Sequence, residues 1–426
     1  MKPERRLGLF DITCLGVNAI VGSGVFLFPG HLASFLGPAS ILSFGLTALL
    51  LLTVGFCYAQ AATYFDRAGA SYLYADAAFG EWTGFAIGWM AWATQVFSWA
   101  AVADAIALYL KYFSPFWNNP WAIKSVAGSV ILLMGFLNYR GVKLGALVSN
   151  FFTTAKIIPI LIFIAFCLPH LKAANYIPFA PHGWHPMGRA CFLAYFAFQG
   201  FEYAAVPSGE VKNPMKIVPL ALILGLGLSG LLYMLVQAAA IGVYPAIASS
   251  SSPLASAAFQ AMGPFGATLM IIATVISTTG YTASAALVTP RCLEPLCEDG
   301  HLPKVLAELH PQFQTPYRSV VLTTAIVFFA AIALDFDKLV DFTNIVVCVQ
   351  YAAICASVPF LMRKLKAPEG SFHLPGGWII PIIGFFSILW LGAQGGMHQV
   401  EGAGVVLLVG FAIKKFWSIF GKKAVA

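Results

Sequence analysis

Long apolar stretches alternate with short polar links along the whole chain. An apolar run of 18 or more residues reads as a helix that crosses a bilayer, because about 20 residues span the hydrocarbon core. About twelve such stretches follow one another. They centre near Gly22, Leu50, Phe97, Leu132, Ile157, Phe198, Leu228, Val275, Val327, Val349, Phe386 and Leu407. The longer links run from about Pro169 to Gly188, Tyr244 to Gly263 and Arg291 to Arg318, and the serine run Ser249–Ser252 reads as a flexible surface tip. No soluble domain fits between the stretches, so residues 1–426 are expected to form one all-α transmembrane domain. The first stretch is too long for a cleaved leader and lacks a small-residue cleavage site.

Two of the predicted helices carry glycine where a helix is weakened. The first holds Gly22-Ser23-Gly24 at its middle, within "NAIVGSGVFLFPG" (Asn18–Gly30). The sixth is interrupted around Gly200, within "AYFAFQGFEYAAVPSGEVKNP" (Ala194–Pro214). Five spans separate the two, and an odd number inverts the second unit relative to the first. Interrupted helices at corresponding places in two inverted halves point to a transporter's binding site. The halves are about residues 1–168 and 188–361, with 375–420 as two additional helices. Glycine is also common where membrane helices pack closely, and Gly84, Gly88, Gly225 and Gly227 are read in that way.

Charge sharpens the picture. The chain is 59% hydrophobic and 10% charged, with a formal net charge of +7. If successive spans alternate sides, eighteen of the 24 lysines and arginines, among them Arg67, Lys143, Lys212 and Lys422, fall on the side of the N-terminus. Lys111, Lys124, Lys172, Arg189 and Lys338 fall on the other side, and Lys156 lies within the membrane. Cytoplasmic loops carry excess Lys and Arg, so both termini are expected in the cytoplasm, and the positive charge is a topology signal rather than a nucleic-acid footprint. The eight cysteines are scattered and suggest neither a disulfide framework nor a zinc site. His182 and His185 lack further ligands nearby, and no phosphate-binding G-x-x-x-x-G-K occurs, so neither a metal nor ATP drive is indicated and no cofactor is expected.

Four motifs carry a family resemblance: "GSGVF" (Gly22–Phe26), "RAGASYLYADAAFG" (Arg67–Gly80), "EVKNPMKIVP" (Glu210–Pro219) and "EDGHLPKVLAELHPQFQTP" (Glu298–Pro316). Together they resemble the amino acid–polyamine–organocation transporter superfamily, nearest its L-type amino acid transporter and bacterial amino acid permease branches. The resemblance implies the LeuT fold, a 5+5 inverted repeat with helices one and six broken at the midplane, and alternating access to a site between them.

Unwinding at Gly22–Gly24 frees backbone groups that lipid cannot satisfy, so they must face protein or a cavity. The outer half of the first helix begins at the break, and the N–H groups of Ser23, Gly24 and Val25 there suit a carboxylate. Carbonyls of Ala19, Ile20 and Val21, and of Phe196, Ala197 and Phe198 where the sixth helix stops, suit an ammonium group. Both polarities in one place form a template for a zwitterionic α-amino acid. The resemblance places Phe196, Ala197 and Phe198 at pocket-lining positions and gives Phe196 the role of an aromatic gate; Phe201 is read as packing.

Two ionisable residues at membrane depth are candidates by position. Lys156 lies midway along the fifth stretch, too deep for simple snorkelling. The resemblance puts a lysine in "KIIP" where sodium-coupled relatives hold the ion, bridging helices one and eight, so Lys156 is either a proton carrier or a charged strut on backbone carbonyls. Glu202 follows the second break, where it could sense pH, pair with another helix, contact a cationic side chain or cap the helix. Members of the family with glutamate here include cationic-substrate carriers, which departs from the L-type pattern. Asp104 reads as a second proton-linked group or a vestibule residue, Glu81 as interfacial. Thr278, Thr279 and Ser284 could meet Lys156 or substrate, or bond their own backbone.

The expected function is sodium-independent secondary transport of a neutral amino acid across the cytoplasmic membrane, coupled to protons or to exchange. A cationic amino acid or polyamine exchanger is the alternative within transport, and a non-transporting sensor or accessory subunit is the alternative from another class; no enzyme is indicated. The expected partners are the amino acid, protons and the lipid bilayer, with no nucleic acid and no obligate protein partner.

Overall fold

A computed structural model describes residues 7–65, 70–110, 114–141, 146–205, 211–313 and 315–420. These residues form α1 (Leu9–Ile20), α2 (Gly24–Leu36), α3 (Ser40–Ala62), α4 (Ala70–Phe79), α5 (Glu81–Leu110), α6 (Pro120–Tyr139), α7 (Ala146–Cys167) and α8 (Met187–Phe198). They continue with α9 (Pro214–Val243), α10 (Pro253–Arg291), α11 (Glu294–Glu298), α12 (Tyr317–Ala333), α13 (Phe336–Lys364), α14 (Ile379–Gly392) and α15 (Met397–Phe420). Extended pairing among the described residues is confined to one parallel bridge, Leu7 to Val211. Of the residues singled out from sequence, Lys2, Arg5, Arg6, Arg67, Lys111, Lys143, Glu210, Lys422 and Lys423 lie outside the described residues.

Local chemistry sets the ends of these elements. The Asp11 carboxylate accepts from the Gly8 N–H at 2.9 Å, satisfying one of the orphan donors that every helix start leaves open. Asn119 does the same for α6, accepting from the Trp121 N–H at 2.9 Å. Asn213 takes the left-handed backbone (φ 47°) that turns the chain into α9, and Pro214, with no N–H to lose, opens that helix.

Among the described residues, seven segments are long and apolar enough to cross a bilayer: Gly24–Ala62, Pro120–Tyr139, Phe151–His170, Pro214–Val243, Pro253–Glu298, Phe336–Lys364 and Met397–Ile419. The first of these joins α2 to α3 through a short turn at Gly37–Ala39. Three further apolar helices, at Leu9–Ile20, Tyr317–Ala333 and Ile379–Ala393, are shorter. Two of the stretches marked from sequence appear in neither group. α5 is long but diluted by Thr, Gln and Ser, and α8 stops after 12 residues because the chain breaks at Gln199.

The helices pack as one bundle. α3 lies along α9, α5 along α13 and α10 along α7, while α1 packs between α9 and α7. Large rings fill the interior, with Trp99, Tyr58, Tyr195, Tyr233 and Tyr351 fully buried. Phe386, Leu408 and Phe416 of α14 and α15 face outward, as lipid-facing side chains do. The end of the bundle that carries Leu7 and the C-terminal turns of α15 is called the near end below, and the opposite one the far end.

Two sequence readings are corrected here. The serine run is a surface tip only in part: Ser249 and Ser251 are exposed, but Ser252 is 1% exposed and the preceding turn at Pro245–Ser249 packs on α2. Gly227 has open space where a side chain would go, so it makes no close helix contact, whereas Gly84 and Gly88 do.

Candidate functional site

The helix that begins at Leu9 stops at Ile20, and α2 starts only at Gly24. Opposite this gap, α8 stops at Phe198 and the chain resumes as a single 3-10 turn, Phe201–Ala205. The two gaps meet. A Cβ on Gly24 would stand 2.7 Å from the Cβ of Ala197 and 2.9 Å from its Cα, so only glycine allows α2 to start so close to the end of α8. Gly200 has φ 101°, and a Cβ there would lie 2.9 Å from the Ala19 carbonyl oxygen.

Among the described residues, no acceptor meets the N–H groups of Ser23, Gly24 and Val25. They are the leading donors of α2 and carry its positive end. The Ser23 hydroxyl is also buried without a partner. Carbonyl oxygens of Ala19 and Phe198 stand without a donor across the same gap. A small hollow of about 10 Å³, room for roughly one water, lies between the gaps. Ala19, Ile20, Gly22, Ser23, Gly24, Phe196 and Ala197 line it, as read from sequence, and so do Gln199, Ser98, Val102 and Tyr281.

Val21, Val25 and Phe198 do not line the hollow, which corrects the expected set. Phe198 packs edge-on to Tyr233, centroids 5.0 Å apart, and Val25 is buried in the core. Four of the carbonyls assigned to an ammonium ligand are already taken by the protein, that of Phe196 by the Gln199 N–H at 3.3 Å. The Ile20 oxygen is 3.0 Å from the Tyr233 hydroxyl and accepts from the Gly22 N–H at 2.9 Å. The Val21 oxygen accepts from Lys156 Nζ at 2.6 Å and from the Ser277 hydroxyl at 2.9 Å. Ala197 likewise has its oxygen 2.9 Å from the Tyr233 hydroxyl.

Lys156 is wholly buried. Its Nζ also donates to the Asn18 oxygen at 3.0 Å, and no carboxylate pairs with it among the described residues. The Ser277 hydroxyl reaches the Gly22 oxygen as well, at 3.1 Å, so α7, the frayed end of α1 and α10 meet on the carbonyls of Asn18, Val21 and Gly22. Thr278 bonds its own backbone, donating to the Thr274 oxygen at 2.7 Å, and the side chain that meets the Lys156 cage is its neighbour Ser277. Ser284 accepts weakly from Asn18, at 3.5 Å.

On the near-end side of the hollow, Glu202 is buried in the 3-10 turn. Its Oε2 accepts from the Gly200 N–H at 3.1 Å and from the Tyr351 hydroxyl at 2.6 Å, while Oε1 has no partner. Phe201 packs with Tyr58 and Tyr351, centroids 5.4 and 5.2 Å away. On the far-end side, Phe196, Phe28 and Phe336 form a three-ring lid with centroids 5.8 to 6.4 Å apart. Gln199 donates to Asn344 at 2.5 Å, and Asn344 donates to the Phe192 oxygen at 2.7 Å, which ties the broken end of α8 to α13.

Comparison with known proteins decides the family. The amino acid permease family profile matches residues 7–400. The chain belongs to that family. Among curated relatives, a methylthioribose transporter of Bacillus subtilis is 29% identical, over 91% of this chain and 87% of its own length. The branched-chain amino acid permease BcaP of the same organism is 28% identical, over 97% of this chain and 93% of its own. A human cationic amino acid transporter 4 is 28% identical over 86% of this chain, which spans 61% of that relative. Family and fold agree on a multi-pass membrane protein that belongs among transporters.

In this permease the residues that sequence gave no sign of are Tyr233, Ser277, Asn344, Ser98 and Tyr281. Ser98 and Tyr281 bond each other at 2.5 Å across the hollow, from α5 and α10. Each is an ordinary polar residue in an apolar run, and only the packing of distant helices brings it to the site. Asp104 is placed beyond the lid and paired with Lys124 at 2.6 Å.

Proposed function

We propose that this permease is a secondary active transporter of a small or medium neutral amino acid, working by alternating access without sodium, and coupled to protons or to exchange. The observation that carries the reading is the meeting of two helix gaps around a polar hollow. The free N–H groups of Ser23 and Gly24 take the substrate carboxylate, and the open oxygen of Ala19 takes its ammonium. A site built from peptide dipoles needs no ionised side chain of its own, which suits a zwitterion. Phe196 and its two ring partners close the far side after binding, and the Tyr58–Phe201–Tyr351 cluster closes the near side. Lys156, held on α1 carbonyls, stands in for a coupling cation and transmits movement of α1 to α7 and α10. The pairing of α3 with α9 supports an inverted repeat of five plus five helices within twelve crossings, with α14 and α15 outside it. The charge bias supports both termini in the cytoplasm and a place in the cytoplasmic membrane.

Uptake of a radiolabelled amino acid panel into proteoliposomes, with and without amino acid inside and across pH, tests this. Uptake of neutral amino acids that survives removal of sodium is expected; binding without uptake would leave a sensor.

A second reading, a carrier of cationic amino acids, is favoured by one observation: the unpartnered, buried Oε1 of Glu202 just below the hollow. Cationic amino acid transporter 4 is among the relatives. Glu202→Gln decides between them. If Glu202 receives a cationic side chain, competition by lysine or arginine falls about tenfold, the worth of one charge-assisted bond. If it only braces the break, the substrate profile stays as it was.

A further inference from the structure

A second and larger cavity of about 390 Å³ lies beyond the aromatic lid, toward the far end, and opens to solvent. Phe336 of the lid forms part of its floor. Its walls carry Asp104 from α5, Lys124 from α6, His31 from α2, and Asp335 and Asp337 from the start of α13. Three carboxylates thus face one lysine. That lysine is committed: Nζ donates to Asp104 Oδ2 at 2.6 Å and to the Leu334 carbonyl at 2.5 Å. Asp335 has only a loose, exposed contact with Lys338 at 3.7 Å, which solvent screens.

Asp104 is different from the exposed carboxylates. It is 2% exposed, and its Oδ1 has no hydrogen-bond partner. A buried acceptor left without a donor is costly, more so on a charged group. The excess negative charge of the walls favours a cationic donor over a neutral one.

We propose that this vestibule is a binding site for a primary ammonium group, which donates to Asp104 Oδ1 and is held by the field of Asp335 and Asp337. The ligand is an organic amine or the ammonium end of an amino acid, bound above the lid and separate from the hollow between the broken helices. The two sites ask for different chemistry. The central one is built for a carboxylate and an ammonium together, whereas the vestibule needs only the ammonium. An amine without a carboxylate leaves the N–H groups of the central site unmet, and the Asp104 variants below report on the vestibule separately.

The test is calorimetric titration of the purified full chain in lipid nanodiscs with n-butylammonium chloride, with sodium butyrate and sodium chloride at equal ionic strength as controls. Butylammonium is expected to bind and the two sodium salts to give no heat. Asp104→Asn weakens that binding about tenfold or more, as loss of a charge-assisted partner does. Because this variant strands Lys124, the double change Asp104→Asn with Lys124→Met removes both charges together and is expected to weaken binding equally, its folding checked by a single elution peak. Leu27→Trp, which fills the cavity without touching a charge, is expected to abolish binding. Undiminished butylammonium binding in the double variant overturns the proposal, as does no binding by the wild type or an equal response to sodium chloride, which would make the site one for inorganic cations. Uptake of L-alanine into proteoliposomes reads the central site separately. Uptake with no butylammonium binding overturns the vestibule and leaves transport standing, while binding with no uptake supports the vestibule and removes the transport reading.

Discussion

Lys156 shows most plainly how one side chain can hold a gap in a helix. Its ammonium satisfies two carbonyls that α1 leaves open; without it the Asn18 oxygen sits buried and unpaired, and the Val21 oxygen keeps only Ser277. Lys156→Met is expected to lower the initial transport rate about tenfold or more, since one charge-assisted bond is worth about 1.5–3 kcal/mol. Uptake normalised to folded protein measures it, and wild-type flux with an unchanged pH profile would make the lysine dispensable. Gly200→Ala makes a sharper backbone test. The new Cβ would meet the Ala19 oxygen and force an L residue into a left-handed conformation, at a cost of about 1–3 kcal/mol. A lower thermal midpoint, together with lost substrate binding, is the expected outcome. At this scale the sequence was readable where a residue's meaning is intrinsic. Glycine in an apolar run, or a lysine at bilayer depth, is unusual by itself. Ser277 and Asn344 were not readable, because a hydroxyl or an amide in a helix usually bonds its own turn, and nothing local says that these two reach another helix.

Between elements, Tyr233 of α9 does what no single broken helix can do for itself. Its hydroxyl stands between the Ile20 oxygen of α1 and the Ala197 oxygen of α8. It has one proton for two acceptors, so it links the two loose ends only while they stay together. Tyr233→Phe keeps the packed ring and removes this link, which costs about 0.5–1.5 kcal/mol for the bond and more for the bared carbonyls. Weaker binding of the amino acid, with a nearly unchanged unfolding midpoint, is expected in a titration of the variant. The gaps themselves were legible from glycine placement. The lengths of the elements were less so, because hydropathy does not see where a helix stops. It merged α2 with α1 into one stretch, and it gave α8 a full crossing that the structure ends at Phe198. The assignment of Ile20 and Val21 carbonyls to a ligand failed for a related reason. Counting orphan groups along one helix ignores donors that neighbouring helices supply.

For the molecule as a whole, the near end is fastened by a cluster drawn from four places in the chain. Lys414 of α15 pairs with Glu81 at 3.0 Å and lies over Trp82, 4.4 Å from its ring centre. Glu81 lies 3.5 Å from His301, whose other ring nitrogen is 3.2 Å from the Tyr72 hydroxyl, and Tyr72 bonds Asp299 at 2.5 Å. Burial, and then the charge of Lys414, hold the His301 imidazole below its usual value of 6.5, against the opposing pull of Glu81, Asp299 and Asp76. The folded chain therefore favours the neutral ring. The stability this carries is complete above about pH 6.5 and is lost as the pH falls below it, because the unfolded chain takes up the proton first. Thermal unfolding in detergent at about pH 7.5 and about pH 5.5 is expected to show a fall in midpoint that His301→Gln makes smaller. The overall class of the fold needed little more than hydropathy and charge bias. The cluster was invisible in sequence, since its members lie between residues 72 and 414 and no periodicity joins them.

The extended pairing of Leu7 beside Val211, with the Lys212 N–H on the Leu7 oxygen at 2.9 Å, has a practical corollary for anyone who labels this protein. It sits where α1 begins, so any swing of that helix away from the bundle must first peel apart a couple of peptide bonds' worth of ladder. A bulky fluorophore or fusion partner attached just ahead of Leu7 would pull on that seam and bias the resting population toward the released arrangement. A reporter on the exposed turn around His182 would leave it untouched.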